Sequence, residues 1–303
     1  KRVSRVRIPS LPPYNLRIIC VKNRLRLITI MKYDDITVIL LLYKTPKKII
    51  KNLKDYRKFK ILVLDQSNDH NIKHEVKNIL PNILYYKVTD KNEGFAKGIN
   101  FLSKKVKTKY FLCTQPDVKI NLQSIKNLKK VFRDKKNCII SIPKIKSYKN
   151  YNIKKNNKKI IPVDNMIGAI FLTKIKLFNR INKFDEDFFF YWEDLDLSRR
   201  VRNSKFQIYL NKDSYCEHLG GKSTSSTLKN MFIKEVNFKF GEYLYQYKYS
   251  ELRFIKVLRE PLTNFLLGLI YLIIFQLRKS LKNFFSILGI IKFLGYIILK
   301  QLK

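Results

Sequence analysis

ITVILLLY, residues 36–43, is an almost unbroken apolar and β-branched run. That pattern predicts a strand buried on both faces, which is the strand of a parallel sheet between helical layers. The neighbouring segments extend the pattern. PKKIIKNLKDY predicts a helix with Pro46 at its first position, and KILVLD (60–65) predicts a second strand ending in Asp65. NIKHEVKNIL has helical spacing, NILYYKV a third strand, and NEGFAKGINFLSKKV a loop turning into a helix. KYFLCT (109–114) is a fourth strand that ends at QPD. Strands alternating with helices of about ten residues imply βαβ units, with ligands beyond the carboxyl ends of the strands. Asp65 and Asp117 both lie at such ends. CIISIPKI and FQIYL (206–210) predict later strands, and the polar, basic stretch 146–159 predicts a mobile loop.

The totals bound the answer. A chain of 303 residues with 46% apolar content can build one large or two modest domains around a real core. A net charge of +40 suits nucleic acid, an anionic membrane or an anionic substrate. Of the 63 basic residues, 48 are Lys and 15 are Arg. Arg is the residue that reads phosphate and base edges bidentately, so a Lys-rich excess over every surface reads as composition, and no nucleic-acid partner is expected. Cys20, Cys113, Cys138 and Cys216 are far apart and form no CxxC pair, as expected of buried thiols.

Both ends differ from the middle. Residues 1–30 contain no acid, six Arg and only two Lys, and the composition changes at Met31. RVRIP matches a translated transfer-RNA T-arm, so this segment is expected to be a spurious or disordered extension, with a basic targeting segment as the competing reading. Residues 31–225 form the expected catalytic domain and 226–303 a helical, membrane-associating tail. LTNFLLGLIYLIIFQL (262–277) is 16 residues without charge, short of the about 20 a spanning helix needs. In the helix that follows, Lys282, Lys292, Lys300 and Lys303 share one arc of about 80°, the pattern of a helix lying in a membrane interface. The basic flanks favour an anionic cytoplasmic leaflet.

FYWEDLDLSRRVR, residues 190–202, gathers scarce acids: Glu193, Asp194 and Asp196. Read locally, they begin a helix where acids offset the dipole, with Arg199, Arg200 and Arg202 at its far end. GGKS (220–223) is not a P-loop, because that motif needs Gly where Cys216 stands. GFAKG is a GxxxG in a polar context, not a membrane-helix contact.

Five stretches in order, NEGFAKGIN (92–100), TQPDV (114–118), GAIFL (168–172), FDEDFFFYWEDLDLSRRVR (184–202) and HLGGKS (218–223), resemble glycosyltransferase family 2, in particular its rhamnosyltransferase-like bacterial enzymes. The resemblance implies a GT-A fold, with a mostly parallel sheet flanked by helices. It implies transfer of rhamnose or a hexose from a dTDP- or UDP-sugar to a lipid-linked or nascent surface glycan, with inversion. A basic nucleic-acid-binding protein, or a catalytically degenerate homologue, is the alternative. Asp117 matches the last acid of the DxD-type metal motif, Gln115 replaces its first acid, and His218 matches the HxGG position that completes a Mg²⁺ or Mn²⁺ site. Asp194, or else Glu193, matches the catalytic base. Trp192 would wall the acceptor site with Phe190 and Tyr191, and Asp196 would contact the acceptor or fix a neighbouring Arg. Tyr43, Asp65, Asn92, Gly94, Phe95, Asn100, Gln115 and Asp164 are the implied nucleotide-sugar contacts, with Asp65 reading the base edge or capping a turn. The resemblance places the enzyme on the cytoplasmic face of the inner membrane, peripheral or monotopic.

Overall fold

A computed structural model describes residues 17–21, 24–28, 34–146, 158–224 and 227–302. It divides into two compact units, residues 1–34 and 35–303. Within the first, strands β1 (Arg17–Val21) and β2 (Arg24–Ile28) pair antiparallel as a hairpin. The rest of the expected extension, and residues 147–157 of the expected mobile loop, lie outside the described residues.

The second unit is built on a nine-stranded sheet. Strands β3 (Ile36–Leu42), β4 (Lys60–Asp65), β5 (Ile83–Val88) and β6 (Tyr110–Thr114) fall where the apolar runs predict them. Every residue of β3 is buried, as a central strand covered on both faces must be. These four strands pair in parallel, in the order β5–β4–β3–β6. Pro46 caps α1 (Lys47–Ile50) one position before the predicted one, and the helix tightens into a 3-10 turn over Lys51–Tyr56. Helices α2 (Lys73–Ile79) and α3 (Phe95–Ser103) make the next crossovers.

Beyond β6 the sheet is not mostly parallel. β7 (Val118–Ile120) leads into α4 (Leu122–Asp134), then come β8 (Cys138–Ile145), β9 (Ile160–Val163) and β10 (Ile170–Lys174). β10 inserts between β6 and β8, antiparallel to both. After α5 (Ile175–Arg180) and α6 (Glu193–Arg202), strand β11 (Gln207–His218) runs parallel to β8 but antiparallel to β7 and β9. The sheet flanked by helices is the expected GT-A arrangement, and its pairing is mixed, parallel in one half and largely antiparallel in the other. An apolar run records burial, not the direction of its neighbours.

Two of the hydrophobic clusters among the described residues bear on the site. One joins the sheet to α3, α5 and α6, and Phe184 sits at its centre, 2% exposed. Its ring meets Phe95, Phe171 and Phe178 edge-on at 5.6, 5.9 and 5.5 Å. Edge-to-face pairs of this kind add about 0.5–1.5 kcal/mol each beyond area burial. The other core packs Phe188 against Phe240, Tyr243 and Leu244 of α7 (Leu228–Lys248), and against Ile290 and Phe293 of α9 (Leu277–Gln301). Helix α8 (Phe254–Ile273) lies between these helices in sequence and folds back on α9, where Ser280 Oγ donates to the Gly268 carbonyl at 2.8 Å.

Lys282, Lys292 and Lys300 of α9 are exposed and also reach polar partners. Lys282 pairs with Glu235 at 3.1 Å, Lys292 donates to Asn237 Oδ1 at 2.6 Å, and Lys300 lies 3.8 Å from Asp187. Ser280, Gly289, Ile290 and Phe293 form the packing face, and Leu288, Ile291, Leu294, Ile298 and Leu299 are exposed as well. Phe184→Ala should lower unfolding free energy by about 3–5 kcal/mol, measured by denaturant titration, because the four-ring cluster cannot collapse into the space. A loss under about 1 kcal/mol would show that this cluster does not organise the core.

Candidate active site

The site gathers at the carboxyl ends of β3, β4 and β6. A pocket of about 690 Å³ opens there. Tyr43, Asn92, Gly94, Phe95 and Gln115 line it, as the sequence predicts. Gly94 takes φ 93°, and a Cβ on it would stand 2.2 Å from the Phe189 carbonyl. No other residue fits there, because the 92–95 loop must pass against residue 189, where the Phe95 amide donates to that carbonyl at 2.8 Å. Asn92 Oδ1 accepts from the Gly94 amide at 2.9 Å and fixes the turn.

Asp117 and His218 are a hundred residues apart, yet adjacent. The antiparallel register of β7 and β11 sets His218 opposite Val118. His218 Nε2 then lies 3.5 Å from Asp117 Oδ2. Asp117 is 0% exposed, and neither of its carboxylate oxygens has a hydrogen-bond partner. A buried carboxylate left unpaired costs several kcal/mol, so this one fits a divalent cation. Among the described residues no third His, Cys, Asp or Glu joins them, so remaining ligands would come from phosphate and water. Pro116 and Gln115, just before Asp117, line the pocket.

The acids of α6 separate into three roles. Asp194 Oδ2 accepts from the Gly168 amide at 2.9 Å, and Oδ1 from the Leu195 amide at 2.9 Å. A Cβ on Gly168 would meet Asp194 Cβ at 3.4 Å and Phe95 Cε1 at 3.6 Å, so Asp194 and the pocket-lining Phe95 adjoin at this glycine. Burial raises the Asp194 carboxyl above its ordinary range, and the two backbone amides oppose that rise. Glu193 is 5% exposed and its Oε2 has no partner. Burial, then the Asp194 charge, push it well above the carboxylate range. Asp196 serves the arginine rather than an acceptor: Oδ2 accepts from Arg200 Nε at 2.8 Å and Oδ1 from Tyr249 Oη at 2.9 Å. Arg200 in turn ties the Ile181 and Lys183 carbonyls.

Tyr191 and Trp192 precede α6 in the left-handed region, with φ 70° and 71°. Such backbone costs about 1–3 kcal/mol per residue and persists only where packing enforces it. Helix α7 supplies that packing. Phe238 meets both rings, Tyr245 stacks on Trp192, and a Cβ on Gly241 would meet Trp192 Cδ1 at 2.9 Å. Burial beside Glu235 and Glu193 pushes the Tyr191 phenol up to about 12.

Three implied contacts do not reach the pocket lining. Asp65 is buried, and accepts from the Ser67 amide and hydroxyl and from Tyr86 Oη at 3.0 Å. This is the turn-capping alternative, since a carboxylate so occupied has little capacity left for a base. Asn100 spends its amide on Phe184 and Glu186 in the core. Asp164 is exposed, and its carbonyl accepts from Arg202 at 2.7 Å. The pocket instead uses residues that sequence reasoning missed: Gln66, Ser223, Thr224, Asn230 and Lys234. Gln66 binds the Gly94 carbonyl at 3.1 Å and the Glu93 amide at 2.9 Å. Asn230 and Lys234 come from α7, beyond the boundary drawn at residue 225, so the pocket spans that boundary. Their one sequence signal is the Thr227 cap, which accepts from the Asn230 amide at 3.2 Å and starts the helix beside the pocket.

Three solved structures are similar to this chain to different degrees. A mannosyltransferase from Pyrobaculum calidifontis, solved with GDP-Man and Mn²⁺, superposes with a TM-score of 0.56 at 14% identity, over 80% of this chain and 68% of that one. TarS from S. aureus gives 0.49 at 16% identity, over 77% and 48%, and GalNAc-T7, solved with UDP, GalNAc and Mn²⁺, gives 0.48 at 12%, over 69% and 48%. The chain thus spans about half the length of the last two. No curated protein sequence matches. A family model described as Glycosyl transferase family 2 matches residues 38–201, more than half of the chain, from the third residue of β3 to the last turn of α6. The chain belongs to glycosyltransferase family 2 and carries a GT-A fold.

Proposed function

We propose that this glycosyltransferase is inverting and uses Mg²⁺ or Mn²⁺ to move rhamnose or a hexose from a dTDP- or UDP-sugar to a lipid-linked or nascent surface glycan. The observation that carries the reading is Asp117, fully buried with both oxygens unpartnered and 3.5 Å from His218. Asp117 and His218 would hold the cation; when bound, it neutralises charge on the departing diphosphate. The Mn²⁺ bound by the Pyrobaculum mannosyltransferase, which shares the fold, supports the same cofactor class.

Asp194 is the base. It is more exposed than Glu193, and two amide donors keep its carboxylate in place. Glu193, deeper and beside a like charge, retains its proton and leaves Asp194 the charged member of the pair. An acceptor hydroxyl gives its proton to Asp194 as its oxygen bonds the anomeric carbon. The bond from that carbon to the diphosphate breaks, and the electron pair leaves with the nucleoside diphosphate. Attack opposite the leaving group inverts the centre. Tyr43, Asn92, Gln115 and Lys234 surround the donor, and Phe189, Phe190 and Trp192 bound the acceptor side.

The tail holds the enzyme on the membrane. α9 is long and apolar enough to cross a bilayer, with only 17% of its most apolar window buried. Its lysines bind α7 and the acidic loop side-on, which favours a helix lying in the plane. On α8, Phe254, Leu262, Leu266 and Ile270 are exposed as well. Apolar surface this contiguous marks a lipid or protein contact, and the basic flanks favour the anionic cytoplasmic leaflet.

Asp194→Asn should lower turnover by about 10²–10⁴-fold while nucleotide-sugar affinity, read by titration, stays within a few-fold. Near-normal turnover would remove Asp194 as the base. Chelation with EDTA should abolish transfer, and Mn²⁺ or Mg²⁺ should restore it; full activity in chelator would discard the metal. Glu193→Gln tests the protonation split. A carboxyl whose folded pKa is raised destabilises the fold increasingly as pH rises above its unfolded value of about 4.3. The variant's melting temperature should therefore match wild type below that value and exceed it by a margin that grows with pH. A pH-independent difference would contradict the raised Glu193.

A further inference from the structure

A second cavity, of about 640 Å³, lies between the first turn of α7 and the first turns of α9. Lys234, Arg278 and Lys282 line it with a single carboxylate, Glu235. Lys282 pairs with Glu235 at 3.1 Å, and Lys234 and Arg278 are the other cations of the lining. Thr227 and Asn230 bring the start of the 21-residue α7 to the same wall, so its positive dipole end faces the space as well. Asn230 and Lys234 also line the catalytic pocket, which makes the two cavities neighbours. On the far side, Arg278 follows Leu277, and Ile274, Phe275 and Leu277 are 50%, 87% and 57% exposed. An apolar surface, a basic cavity and the catalytic pocket therefore follow one another in space.

We infer that the basic cavity receives the phosphate-bearing head of the lipid acceptor, with the lipid chain against α8 and α9 and the acceptor sugar reaching the catalytic pocket. This inference rests on the lipid-linked acceptor proposed above. The order of surfaces matches the order of parts in such a molecule: chain, phosphate, sugar. Arg278 offers a planar fork of donors and the lysines offer point charges, a set suited to phosphate oxygens. Gly221, three residues after His218, also lines the cavity, so it adjoins the Asp117–His218 end of the pocket, and the UDP control below separates the two.

The test uses the full chain and farnesyl diphosphate as a short lipid diphosphate, titrated by calorimetry below its micelle concentration. Farnesol, inorganic diphosphate and UDP serve as controls. Farnesyl diphosphate should bind at least tenfold more tightly than farnesol or inorganic diphosphate. The double variant Arg278→Ser/Lys282→Ser should weaken it at least tenfold while UDP affinity stays within twofold. Glu235→Gln should tighten it. Unchanged binding in the double variant would overturn the proposal. Equal displacement by inorganic diphosphate would make the cavity a free-phosphate site, and a parallel loss of UDP affinity would make it part of the donor site; both outcomes refute a lipid head. Should the double variant lose its cooperative melting, the singles Lys282→Gln and Glu235→Gln decide, because the inference requires opposite shifts. Since binding is read without turnover, wild-type enzyme that releases sugar from no nucleotide sugar would refute the transferase reading and leave this result intact.

Discussion

Three acids, Asp117, Glu193 and Asp194, are held in or near the interior of a chain with an excess of forty positive charges, and none pairs with a Lys or Arg among the described residues. Most ion pairs of this protein lie on its surface or between the tail helices and the catalytic unit. The isolation of these three is a constraint that the sheet, α6 and α7 all serve. The edge pairing of β7 with β11 encloses Asp117 beside an imidazole. Gly168 and the start of α6 give Asp194 two amide donors and no cation. A cationic side chain beside either carboxylate would form an ion pair with it, and none is placed there among the described residues.

The strained entry to α6 follows from the same requirement. To direct Glu193 inward and Asp194 toward Gly168, the chain turns through two left-handed residues that carry large aromatic rings. Their conformation survives because α7 closes over them, and Gly241 removes the one Cβ that would hold the helix away. The catalytic turn is therefore stabilised by a helix that comes nearly fifty residues later. A second core, centred on Phe188 and Phe293, ties that helix to α9.

Much of this was legible in the sequence, and the gaps have physical causes. Runs such as ITVILLL and KILVLD state their burial directly, so the parallel half of the sheet could be placed strand by strand. β10 has a similar composition, but its antiparallel insertion is a property of its neighbours and leaves no mark on its own residues. Motif order pointed to Asp117, His218 and Asp194, whereas for Asp65 and Asp196 the sequence left two readings open, because the partners Tyr86 and Tyr249 lie outside any local window. The α9 lysines illustrate the same limit. Periodicity locates a polar stripe but does not name the side chains of other elements that it reaches.

Lys292 is where the tail and the pocket share material. Its ammonium lies over the rings of Phe189 and Phe240 while it binds Asn237, and Phe189 is also a wall of the catalytic pocket. Any force that slides α9 along α7 therefore deforms the chamber in which the sugar moves. With α9 resting on lipid as proposed, anchorage and competence become mechanically inseparable: a molecule adrift in the cytosol would lose the seating of one wall, and the bilayer would act as an allosteric activator without contributing a single ligand atom.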